Sequence, residues 1–125
     1  MERTPITRTG MRVVGVTGPL VHLTITLSEP PPAPWTDRFR SPQTVEIPSD
    51  MRIPTLLGKS TLSWDVEEEK LDEQTSIVDR MIDEADAFYA DVYLPERAAE
   101  ARQVAEEKAA DLERLARLQQ RVDNL

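Results

Sequence analysis

The stretch TLSWDVEEEKLDEQTSIVDRMIDEADAFYADVYL, residues 61–94, contains the change of character that decides the fold. Before Asp65, short apolar–polar alternations are broken by prolines. After it, residues 66–125 contain no glycine and a single proline, Pro95. Asp65 with Glu68 three residues on reads as a capping-box start, and Glu67 to Glu69 suit the positive end of a helix dipole. Leu71, Val78, Ala85 and Val92 then recur at heptad spacing, widened by Met81, Ile82, Phe88 and Tyr89 into a broad apolar stripe. The spacing predicts a helix over about 65–93.

Beyond Pro95 the stripe resumes as Ala98, Ala101, Ala105, Leu112, Leu115 and Val122. Its phase does not continue the first one. The positions that extend Leu71 and Val92 by sevens become Ala99, Glu106, Glu113 and Gln120, so the apolar side is rotated by roughly a third of a turn. Proline is tolerated at the first position of a helix, where its missing N–H costs nothing. A second helix over about 95–123 is therefore expected, with a tight joint; since no glycine or asparagine sits there, a kinked near-continuous rod is the alternative. Its first half is lined by alanines, which allow close approach and bury little area, so it needs something to pack on.

Working back toward the N-terminus, Thr61 to Trp64 reads as a short strand with Leu62 and Trp64 on one face. Gln43 to Ile47 alternates with Val45 and Ile47 inward. Trp35 to Arg40 suits one helical turn, because Trp35 and Phe39 share a side at i and i+4. Glu29 to Pro34 carries four prolines and cannot join a ladder. Val21 to Leu27 is the clearest strand: Val21, Leu23, Ile25 and Leu27 on one face, His22, Thr24 and Thr26 on the other. Gly18-Pro19 marks a turn after a further strand over Arg12–Val16. Residues 1–10 read as a loose tail, with Met11 as an alternative start.

The expected fold class is α+β: a small antiparallel or mixed sheet of three to four short strands, then two long amphipathic helices forming a hairpin or a coiled-coil-like arm. The expected organisation is a tail over 1–10, a β-rich unit over 11–64 with a Pro-rich connection at 29–34, and a helical arm over 65–125.

Composition narrows the chemistry. The chain has 125 residues and a net charge of −8, and it lacks cysteine, which excludes disulfides, thiolate zinc sites and cysteine nucleophiles. Residues 1–60 hold seven basic and five acidic residues, whereas 61–125 hold eight basic and eighteen acidic. A net-negative chain without a basic patch argues against nucleic acid and against an anionic membrane surface. No apolar run is long enough to span a bilayer, and the first residues lack a signal-peptide pattern, so a soluble cytoplasmic protein is expected.

Catalytic signals are weak. The single histidine, His22, sits on the polar face of its strand and cannot supply a multi-histidine metal site. A Ser-His-Asp row would need it beside Ser28 or Ser63, and no nucleophile-elbow motif is present. Asp72, Asp79, Asp83 and Asp86 lie on adjoining turns of the first helix, where a solvated acidic face is the plain reading. No phosphate-binding glycine loop, EF-hand loop or dinucleotide fingerprint occurs. No enzyme activity, cofactor or metal is expected.

The leading expectation is a protein–protein interaction or assembly protein, with self-association into a homo-oligomer as one form. Its binding residues would be the stripe Leu71, Val78, Met81, Ile82, Ala85, Phe88, Tyr89, Val92, Leu112, Leu115 and Val122. The alternative is a small acidic inhibitor (an immunity protein, an antitoxin or a mimic of nucleic-acid charge) meeting a basic partner through Asp72, Asp79, Asp83 and Asp86.

Overall fold

The computed structural model describes residues 4–125. Strand β1 (Arg8–Thr17) and strand β2 (Leu20–Leu27) form a hairpin, followed by helix α1 (Ala33–Arg40), the two-residue strand β3 (Thr55–Leu56) and strand β4 (Thr61–Glu67). A 3-10 turn (Glu68–Lys70) leads into helix α2 (Leu71–Phe88), a π-helical turn (Tyr89–Tyr93) and helix α3 (Leu94–Asp123). The fold is thus a four-stranded sheet followed by long helix, an α+β arrangement, with strand order β1-β2-β4-β3 and every neighbouring pair antiparallel.

Thr17 pairs with Leu20, so Gly18-Pro19 is a two-residue hairpin loop. Gly18 has φ 59°. Glycine takes that value without strain, and proline in second place fits the II′ sense that matches strand twist. Pairing in β2 and β4 sets Val21 opposite Val66, Leu23 opposite Trp64 and Ile25 opposite Leu62. All six are buried, and with Leu27 they form the sheet's inner face. Trp35 and Phe39 of α1 stack at 5.4 Å between ring centroids and lie in the same core, as do Ile77, Val78, Met81, Ile82 and Ala85 of α2. The Trp64 indole N–H donates to the Arg52 carbonyl at 2.8 Å, so the largest strand residue is buried with its polar atom satisfied.

Four sequence expectations change. Residues 4–10 are not loose: Ile6 is 1% exposed in the core and β1 begins at Arg8 (residues 1–3 lie outside the described part). Gln43 to Ile47 forms no strand; the N–H groups of Gln43 and Thr44 go to the Glu84 carboxylate instead of a ladder, while Val45 and Ile47 still pack on the core. Asp65 does not cap a helix; it lies within β4 opposite His22, and the helical backbone starts at Glu68. The joint before Pro95 is neither a loop nor a simple helix start but the π turn. Proline cannot donate to the carbonyl four residues back and its ring crowds it, and a wider turn relieves both.

The chain divides into two compact units, Met1–Asp91 and Val92–Leu125. Helix α2 belongs to the first, where it packs against α1. No helix among the described residues is long and apolar enough to cross a membrane.

Candidate functional site

The stripe of α2 and that of α3 have different fates. Val78, Met81, Ile82 and Ala85 are 0–2% exposed, covered by the sheet and α1 within their own unit. Leu71 and Tyr89 pack at the rim of the same core. Phe88 is half-buried, with the Arg38 guanidinium carbon 4.5 Å from its ring centroid, a cation–π contact. These residues form a core rather than a docking face, which corrects the expectation that they meet a partner. Val92, 41% exposed, begins the second unit.

Helix α3 has no buried residue. Leu112, Leu115 and Val122 are 66%, 62% and 59% exposed. Val104 and Leu118, at 58% and 46%, join them on the same side and were absent from the sequence-derived set. Leu118 lies three residues after Leu115 and four before Val122, and Val104 lies eleven before Leu115; both spacings return to one helix face. The polar pairs Arg97 to Glu100, Gln103 to Glu107 and Gln119 to Asp123 along this helix are one turn apart and give modest local support.

The acidic face of α2 is partly occupied by the fold itself. Asp79 receives two hydrogen bonds from Arg8, from Nε at 2.8 Å and Nη2 at 2.9 Å. Asp86 accepts the backbone N–H of Ile6 at 2.9 Å. Both tie the start of β1 to α2. Asp72 and Asp83 are exposed. Among the described residues no group of three or more metal-ligating side chains is placed to hold an ion.

The sheet's outer face carries one polar row that the sequence reading did not assemble. His22 Nδ1–H donates to Asp65 Oδ1 at 2.6 Å, and Nε2 lies 2.8 Å from the Thr17 hydroxyl. The carboxylate fixes the ring tautomer, so in the neutral ring Nε2 accepts from Thr17. Hairpin geometry made the row: the two-residue loop pairs Thr17 with Leu20 and Gly15 with His22, which sets Thr17 diagonally across from His22 on one sheet face. Ser28 accepts the Thr7 N–H instead, and Ser63 pairs with Thr24. Side-chain exposures of 32% for His22 and 42% for Asp65 leave the row open to water rather than set in a cleft. A hydrogen-bonded cross-strand pair accounts for it.

A second polar cluster sits between α1 and α2. Glu84 Oε1 accepts from Gln43 and Thr44, and Arg38 Nη2 lies 3.7 Å away. The side chains of Glu84 and Arg38 are 8% and 20% exposed, so this carboxylate braces the core-side loop. Lys70 pairs with Asp50 and, at 3.5 Å, with Glu67; Asp50, Lys70 and Asp65 border a shallow polar cavity of about 60 Å³ with Arg52 and Gln74. That volume holds a water or two and no metabolite.

No known protein family, no characterised protein and no solved structure matches this chain significantly.

Proposed function

We propose that the protein is a non-enzymatic interaction or assembly module whose helix α3 docks on another protein chain. One observation supports this reading: five aliphatic side chains, Val104, Leu112, Leu115, Leu118 and Val122, stand in water along one side of a helix that buries nothing. Apolar surface left in water forgoes about 25 cal/mol per Å² of transfer free energy. A 30-residue helix draws most of its stability in proteins from packing such a face, and exposed patches of this kind mark interaction surfaces. The net charge of −8 disfavours nucleic acid as the occupant. Two of the four acids considered for a basic partner, Asp79 and Asp86, already serve the fold, which lowers the inhibitor reading.

The test is sedimentation velocity on the full chain, combined with affinity capture from an extract of its source, for the natural protein and the Leu112→Asp/Leu115→Asp variant. The expected result is a species heavier than the monomer, or a captured chain, that the variant loses while its thermal transition is kept. A monomer that captures nothing overturns the reading.

A further inference from the structure

We infer that the occupant of the α3 face is a second copy of this chain, its α3 running antiparallel. The inference rests on the interaction reading above and adds the partner and the direction. Two asymmetries along the helix carry it, one of size and one of charge.

On a heptad frame the facing positions are Ala98, Ala105, Leu112 and Gln119 in one series and Ala101, Lys108, Leu115 and Val122 in the other. The first half of the seam is lined by three alanines and Lys108, the second by Leu112, Leu115, Val122 and Gln119. A parallel pair would set alanine against alanine and leave half the seam with little to bury. An antiparallel pair sets each alanine of the seam against a larger side chain. Ala98 then meets Val122 of the partner subunit, Ala105 meets Leu115 of the partner subunit, and Lys108 meets Leu112 of the partner subunit. The flanking Val104 meets Leu118 of the partner subunit, which places two further exposed aliphatics in contact. Alanines also let the two backbones approach closely, which improves packing along the leucine half.

Charge runs the same way. Residues 94–113 carry six acids and three bases, whereas 114–125 carry Arg114, Arg117 and Arg121 against Asp123. Antiparallel pairing lays the basic end of one helix beside the acidic start of the other. Parallel pairing would stack like on like. The helix dipoles also oppose each other only in the antiparallel arrangement.

The chain lacks cysteine, so introduced thiols report pairing directly. In this register Arg102 falls beside Ala116 of the partner subunit, while two copies of either position stand about 20 Å apart. Full chains carrying Arg102→Cys and Ala116→Cys are mixed in a glutathione redox buffer, and the disulfides are identified by peptide mass spectrometry. The 102–116 crosslink is expected to exceed both like-with-like crosslinks at least tenfold, and to vanish when both chains also carry Leu112→Asp. Dominant 102–102 and 116–116 crosslinks would mean a parallel pair and overturn the inference. So would a monomer mass by sedimentation at about 100 μM, since a stable pair of this kind associates well below that. A monomer that binds a different chain through α3 overturns only this inference, whereas one that binds nothing overturns the interaction reading too.

Discussion

Oε1 of Glu84 lies 2.7 Å from the backbone nitrogen of Thr44, and the same oxygen takes the N–H of Gln43 at 2.9 Å. One carboxylate on α2 therefore satisfies two consecutive donors of a loop that has no strand to pair with. Burial pushes the Glu84 carboxyl up. The N–H groups of Thr44 and Gln43, the Thr44 hydroxyl and the charge of Arg38 pull it down further, and the balance falls below the ordinary 4.5. A group depressed in the folded state stabilises fully above its unfolded value and loses that contribution as pH falls through the folded one. Stability should thus decline as pH drops below about 4.5. Glu84→Gln should cost about 1–3 kcal/mol at neutral pH and flatten this acid limb. Urea denaturation of both proteins at neutral pH and at successively lower values checks it; parallel acid limbs would show that Glu84 does not brace the loop as a carboxylate.

The start of β1 is held by one buried residue and two surface bonds of unequal worth. Ile6 is 1% exposed, and replacing it with alanine should cost about 2–4 kcal/mol through lost burial and a cavity. Arg8 and Asp79 make a bidentate pair, but their side chains are 31% and 41% exposed. Screening by water limits Asp79→Asn to at most about 1 kcal/mol. The ranking is the prediction, and denaturant midpoints at unchanged slope measure it. Equal losses would mean that the ion pair, not the isoleucine, anchors the segment.

Val21, Leu23, Ile25 and Leu27 alternate without interruption, and each is buried, because a two-sided strand records its environment at every second residue. The α2 stripe was equally legible as a helix face, yet the sequence could not say what covers it. Periodicity marks a face for burial without distinguishing the chain's own sheet from a partner. Asp65 misled for a definite reason: an aspartate before a run of glutamates is a helix-start signal, and its use as the cross-strand partner of His22 depends on a pairing 43 residues away in sequence. Val45 and Ile47 misled differently. They alternate as a strand does, but Pro42 and Pro48 flank them and their neighbours' donors are claimed by Glu84. The row of Thr17, His22 and Asp65 needed two strand pairings, β1 with β2 and β2 with β4, and no local pattern announces the second.

That row resembles a hydroxyl–imidazole–carboxylate relay in connectivity alone. Its side chains are part-exposed and stand on a flat sheet face, where nothing desolvates a nucleophile. Hydrolysis of an activated ester such as p-nitrophenyl acetate should therefore not exceed that of free imidazole at the same concentration, and Thr17→Val should leave the rate unchanged. His22→Ala should lower stability by about 0.2–1 kcal/mol, the range of an exposed cross-strand pair. Saturable turnover abolished by Thr17→Val would refute the structural assignment. Gly15 offers an independent probe: a methyl group there would meet His22 Cδ2 at 3.5 Å, an ordinary contact, so Gly15→Ala should be tolerated.

The two apolar stripes, nearly alike on paper, should respond oppositely to the same substitution. Val78 is 0% exposed and enclosed by the sheet and α1. Val78→Asp would bury a carboxylate without a partner, which costs more than about 4 kcal/mol and unfolds the first unit. Leu112 is 66% exposed in a helix that buries nothing, so Leu112→Asp removes no contact within the chain and should leave the cooperative transition of residues 4–91 in place. Its effect falls on association alone, as a rise of at least tenfold in the concentration at which the assembly dissociates. Thermal unfolding followed by tryptophan fluorescence isolates the first unit, because Trp35 and Trp64 both lie in its core. Sedimentation of the same samples reads the second. If Leu112→Asp moved the tryptophan transition as far as Val78→Asp does, the α3 face would be serving the fold rather than a partner.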